Sequence, residues 1–222
     1  MTNPTRERVK THFPAVLLTL LSIVQAIALE LLWGHITDSE VLYTATFESF
    51  IAWTQVLATL SVVVLIWVVY ASNVMRFRWV PELTDSIYPF MVGITEFWLV
   101  ASLQSGREGQ WFIVSGLIFA LMTWISQITM RRARLDPDNE HFFRDVPRAT
   151  LADFYPTFVI VILFLGVGTL VALLEPGTVA YGGAVVLALC FLCWQFGRNA
   201  QFWKAAIAET PAILNSTDQS NS

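Results

Sequence analysis

IYPFMVGITEFWLVASL, residues Ile87 to Leu103, is an unbroken apolar run with one acid, Glu96, near its middle. A run of about 17–25 such residues crosses a hydrocarbon core about 30 Å thick. Helical rise puts Glu96 roughly 10 Å beyond Pro89, well inside that core. An ionisable residue at that depth is costly and marks a functional-site hypothesis by default. Reading this stretch as a span therefore sets both the fold and the first candidate residue.

Five further runs of similar length accompany it: Phe13–Trp33, Phe50–Ala71, Trp111–Met130, Pro156–Leu174 and Val179–Phe196. Composition agrees. Of 222 residues, 55% are hydrophobic and 14% charged, where a soluble domain carries about 25% charged. Nine tryptophans and sixteen phenylalanines suit lipid-facing helices and interfacial belts. The expectation is an all-α polytopic membrane protein, a bundle of six transmembrane helices forming one domain over residues 1–210. A polar tail follows at 211–222. The first run is too long for a signal-peptide core and reads as a retained span.

Lysine and arginine set the orientation. With the N-terminus inside, twelve of the thirteen fall on the cytoplasmic side, Arg6 to Lys10, Arg76 and Arg78 among them, and only Arg107 falls outside. Both termini are then cytoplasmic, in a plasma or bacterial inner membrane. Short connections containing Gly106 and Gly109, then Pro176 and Gly177, pair span three with four and five with six. The second span is expected to begin early, as one helix from about Ser39 to Asn73, because Thr37 and Glu40 are spaced as a capping box. Tyr88-Pro89 and Tyr155-Pro156 open corresponding spans, and Phe13-Pro14 opens the first. Three hairpin repeats would give this pattern. So would shared boundary chemistry, since proline suits a first helical turn.

Glu96 has no lysine or arginine at comparable depth, so burial favours its neutral acid. Such a group can carry a proton or meet a passing cation. It can also simply bond a hydroxyl or amide across a helix contact, with Gln55, Thr59, Ser115, Thr123 and Gln127 as candidate partners. Glu30, a turn below the outer end of span one, reads as an outer accessory or as a snorkelling side chain. Gln25, Gln55 and Gln127 complete the candidate ion or proton pathway. Glu48, Glu108 and Glu175, with Asp38 and Glu40, make the outer face acidic, which concentrates cations.

The loop from Arg131 to Asp153 mixes both charges. Arg131, Arg132 and Arg134 are candidates for anionic lipid headgroups, and a self-paired loop is the simpler reading. Its Asp136-Pro-Asp138-Asn-Glu140-His141 lacks the glycine and the final glutamate of a calcium loop. Cys190 and Cys193 share a helix face and read as small apolar contacts rather than half a metal site. His12 and His35 sit at opposite ends of span one, which argues against a bis-histidine haem. Both lysines lie outside the spans, which excludes a buried Schiff base. No HExxH, Walker A, GxSxG or strand-borne GxGxxG motif occurs, so no cofactor or metal is expected, and a lipid-modifying enzyme using the cytoplasmic arginines and acids is the weakest of the functional readings. The net charge of −4 speaks against nucleic acid. No span carries GxxxG, so close glycine-mediated dimerisation is not expected.

The functional expectation is passage of an ion, proton or small solute, with Glu96 as the protonatable group, membrane lipids as neighbours and a homo-oligomer as the assembly. The alternative is a non-catalytic subunit or assembly factor of a larger membrane complex.

Overall fold

The computed structural model describes residues 4–144, 150, 154–174 and 177–208, and the tail at 211–222 lies outside them. Helices dominate: α1 (Pro4–Asp38), α2 (Phe47–Arg76), α3 (Tyr88–Ala101), α4 (Glu108–Leu135), the single turn α5 (Glu140–Phe143), α6 (Tyr155–Leu174) and α7 (Thr178–Ala208). There is no strand among the described residues. The protein is an all-α polytopic membrane protein, and α1, α2, α4, α6 and α7 are each long and apolar enough to cross a bilayer.

The third expected span is shorter than the rest. Its regular helix has 14 residues, about 21 Å by rise. The cause lies at its ends. A 3-10 turn, Leu83–Ser86, leads into Pro89 at the helix start. At the other end Ser102 folds its hydroxyl back onto the Trp98 carbonyl at 2.7 Å. Gly106 then adopts a φ of +78°, open to glycine without cost.

The long helix expected from Ser39 to Asn73 is not formed. Helix α1 runs on to Asp38, Thr37 bonds the Gly34 carbonyl within it, and a 3-10 turn covers Glu40–Tyr43. Ala45 takes φ 53°, and Thr46 caps α2 by accepting from the Ser49 amide at 3.2 Å. The Leu42 carbonyl, which a continuing helix would have used, accepts from Ser49 Oγ and Trp53 Nε1 instead, at 2.8 and 2.9 Å. Side-chain donors thus stabilise the break where propensity alone favoured continuation.

Packing keeps the expected pairing of the third and fourth spans but not that of the fifth and sixth. Helix α3 lies on α1 and α4, α6 lies along α4, and α7 lies along α2. Helices α6 and α7 do not run packed together. They meet through rings, with Phe164 and Phe191 centred 6.2 Å apart. Close glycine contacts occur between two helices of the one chain. A Cβ on Gly109 of α4 would stand 2.6 Å from the Gly168 carbonyl of α6, and one on Gly168 would stand 2.7 Å from the Gly109 carbonyl. The missing side chains let the two backbones touch, as small residues do in membrane helix pairs. Cys190 and Cys193 are exposed on α7 and are not the helix-contact residues expected.

The end of the bundle holding Lys10, Arg78 and Arg132 is tied by ions. Lys10, buried, reaches Asp136 and Asp138 at 2.6 Å each. Arg78 meets Asp138 at 3.2 Å, and Arg132 pairs with Glu82 at 2.7 Å and with Asp85. Asn139 accepts from the Arg78 amide at 3.0 Å and donates to the carbonyls of Arg78 and Ala133. Asp136 and Asp138, the acids just after α4, thus pair with α1 and with the α2–α3 connection.

Candidate functional site

Glu96 is fully buried where α1, α2 and α3 converge. The amide of Gln25 donates to its Oε1 at 3.0 Å and to the Val63 carbonyl at 2.8 Å. A backbone carbonyl only accepts, so the Gln25 atom between these two oxygens must be the nitrogen. Both amide hydrogens are then committed. Glu96 Oε2 is buried and has no partner among the described residues. A carboxylate would leave that charged oxygen without a donor, whereas the neutral acid leaves one hydroxyl. Orphaned buried polar atoms are uncommon and ask for an explanation.

The meeting depends on a glycine. A Cβ on Gly93, one turn before Glu96, would stand 2.1 Å from Val24 Cγ1, next to Gln25. No real side chain tolerates that distance, so only glycine lets α3 approach α1 closely enough for the amide to reach the acid.

Two cavities lie elsewhere, among α2, α4, α6 and α7. The outer one, about 620 Å³, is lined by Glu48, Gln55, Gln104, Glu108 and Tyr181 among others. The Tyr181 hydroxyl is buried there without a partner among the described residues. The inner one, about 370 Å³, is lined by Thr123, Ser126, Gln127, Gln195 and Asn199 together with apolar walls. Between them α2 advances from Gln55 to Val62, about 10 Å by rise. Trp111, Phe112, Ser115, Phe164, Val185 and Ala188, all buried, occupy the neighbouring helices at this level. The rings interlock: Phe112 stands 6.2 Å from both Phe164 and Tyr181, and Trp111 stands 4.9 Å from Phe112. The Trp111 indole also donates to Thr59 at 2.9 Å, fastening α4 to α2.

The expected pathway residues are thus dispersed. Gln25 joins Glu96, Gln55 lines the outer cavity and Gln127 the inner one. Glu30 is exposed on α1, and neither Glu96 nor Gln25 lines either cavity. The candidate partners named for Glu96 from sequence are engaged elsewhere. Thr59, Ser115 and Thr123 each donate to a carbonyl of their own helix. Of the basic trio, Arg131 is exposed, Arg132 holds Glu82 and Asp85, and Arg134 stacks on Phe143 with its guanidinium 4.6 Å from the ring centre. The aromatic layer was not anticipated. Its sequence signal was Trp111 and Phe112 at the start of the fourth span and Phe164 in the middle of the fifth.

The class that this fold and site define is an α-helical polytopic membrane protein with a buried acid and a divided internal space. Family models, characterised proteins and solved structures offer no match to the chain.

Proposed function

We propose that the protein passes a small cation, proton or small polar solute across the membrane along a path lined by α2, α4, α6 and α7. The observation that carries this reading is the pair of cavities on the same four helices, polar at both ends and divided by one aromatic layer. Glu48 and Glu108 outnumber Arg107 on the outer lining, which favours a cation. Glu96 acts beside the path as the protonatable group. Its helix, α3, continues into the Ser102–Gly106 segment that lines the outer cavity, six residues or about 9 Å further on. Protonation at Glu96 would therefore bear on the position of that wall.

The test is reconstitution into liposomes with an enclosed pH dye and, separately, K⁺ or Na⁺ gradients. The expected result is flux above protein-free vesicles, with Glu96→Gln lowering it or removing its pH dependence. Absence of proton, K⁺ and Na⁺ flux would overturn the cation reading. A second reading, a non-catalytic subunit or assembly factor, is favoured by the broad apolar face of α6, where Phe158, Ile162, Leu163, Leu170 and Leu173 are exposed. A stoichiometric foreign protein retained through purification in mild detergent would support it.

A further inference from the structure

Helices α2 and α7 separate towards the basic end. Helix α2 stops at Arg76, where Phe77 turns into extended backbone, while α7 continues to Ala208. A groove of about 330 Å³ opens between them. Its floor is made of small residues, Ala71 and Ser72 on α2 and Ala200 on α7. Its walls are Trp67, Met75, Phe196 and Trp203. The Trp67 indole is held in place by donating to Ser22 Oγ at 3.1 Å. Lys204 is the one charged residue of the lining, at the end furthest from the bundle centre.

The groove lies at a specific depth. It begins at Trp67 and Phe196, in the last turns of the apolar runs, and it extends about 12 Å by helical rise from Phe196 to Lys204. Beyond the hydrocarbon core a bilayer continues through an interfacial and headgroup zone of several ångströms on each side. Tryptophans concentrate in that zone. The groove is therefore apolar where acyl chains end and cationic where headgroup phosphates sit.

We infer that this groove binds one anionic phospholipid of the inner leaflet, with the upper acyl chain along Ala71, Phe196 and Trp203 and the headgroup phosphate on Lys204. Among the described residues no acid lines the groove to oppose a negative headgroup. Basic pockets between helices on the cytoplasmic side are suited to such lipids. The groove shares Asn199 with the cavity that Gln127 lines, and the lipid site does not depend on the transport reading.

The experiment is native mass spectrometry of the delipidated protein titrated with phosphatidylglycerol or phosphatidylcholine of the same chain length. The expected result is one phosphatidylglycerol retained per chain, preferred about fivefold over phosphatidylcholine, as one lysine near a phosphate provides. Lys204→Gln should remove the preference and leave residual binding of both lipids. Ala200→Trp, on an exposed position of α7, fills the groove and should abolish retention of both. Soluble glycerol 3-phosphate should not displace the lipid, because the groove contributes the acyl contacts. Equal retention of both lipids by the unsubstituted protein would overturn the headgroup assignment. A dimer that Ala200→Trp dissociates would show that a second copy occupies the groove instead.

Discussion

Gln25 and Glu96, 71 positions apart, share a single hydrogen bond of 3.0 Å from the amide to Oε1, and the second amide hydrogen goes to the Val63 carbonyl. One side chain thus joins three helices. Replacing Glu96 by Gln keeps an acceptor facing Gln25, so folding should be nearly unchanged. Replacing it by Ala leaves the amide short of one buried partner, at a cost of about 1–3 kcal/mol. The double replacement Gln25→Leu with Glu96→Leu should recover much of that loss, since removing both partners of a buried bond is cheap. Unfolding in detergent, followed by circular dichroism against denaturant, measures all three. An Ala variant as stable as the parent would show that the bond holds nothing together.

The approach of α3 to α1 should be sensitive to one methyl group. Gly93→Ala places a Cβ into Val24 Cγ1, and overpacking of this kind costs about 1–3 kcal/mol. Val24→Ala in the same chain removes the obstructing methyl groups and should restore most of the stability. Thermal unfolding of the single and double variants decides it. No rescue by Val24→Ala would mean that the contact is not the limiting one.

The glycine seam between α4 and α6 predicts a harsher outcome. Gly168→Val would press against the Gly109 carbonyl and the Ile113 amide, which are backbone and cannot rotate away. Separation of α6 from α4 should follow, with loss of cooperative unfolding and faster proteolysis at the ends of α6. Retention of the parent's unfolding midpoint would contradict the seam.

At the basic end, the hydrogen bond from Lys10 holds the Asp138 carboxyl below its ordinary value of 3.8, helped by the charges of Lys10 and Arg78. A carboxyl lowered on folding contributes stability above its unfolded value and loses it as pH falls through the lowered folded value. The tie should therefore hold at neutral pH and weaken as pH falls below 3.8 and through the lowered folded value. Hydrogen exchange of the amides at 136–139, corrected for intrinsic rates, should rise on acidification. Asp138→Asn should raise it already at neutral pH. Identical protection in the two proteins would remove Asp138 from the tie.

Much of the architecture was legible because the bilayer imposes length and polarity on every span. The apolar runs and the arginines that close them depend on that solvent alone, and each appears as a helix. Partner choice was not legible. Nothing local to Glu96 points to Gln25, because Val24 and Gly93 must first fit each other before the amide and the acid can meet. The break at Ala45 was hidden for a related reason: it depends on Ser49 and Trp53 reaching back to the Leu42 carbonyl. Gly109 and Gly168 belong to different spans, so a search for two glycines within one helix misses them. The mid-span glutamines looked alike in sequence, yet Gln25 is a lock, while Gln55 and Gln127 line different cavities.

The central claim, two separately accessible cavities divided by an aromatic layer, is tested most directly by thiol labelling. Cys190 and Cys193 are exposed and can be replaced by Ala before single cysteines are introduced at Gln55, Ser115 and Gln127. In sealed vesicles of known orientation, a charged, membrane-impermeant maleimide should label Gln55→Cys only from the acidic face and Gln127→Cys only from the basic face. Ser115→Cys, behind the rings of Trp111 and Phe112, should label from neither. Labelling of Gln55→Cys and Gln127→Cys by a lipophilic maleimide alone, with no reaction from either aqueous side, would contradict the account.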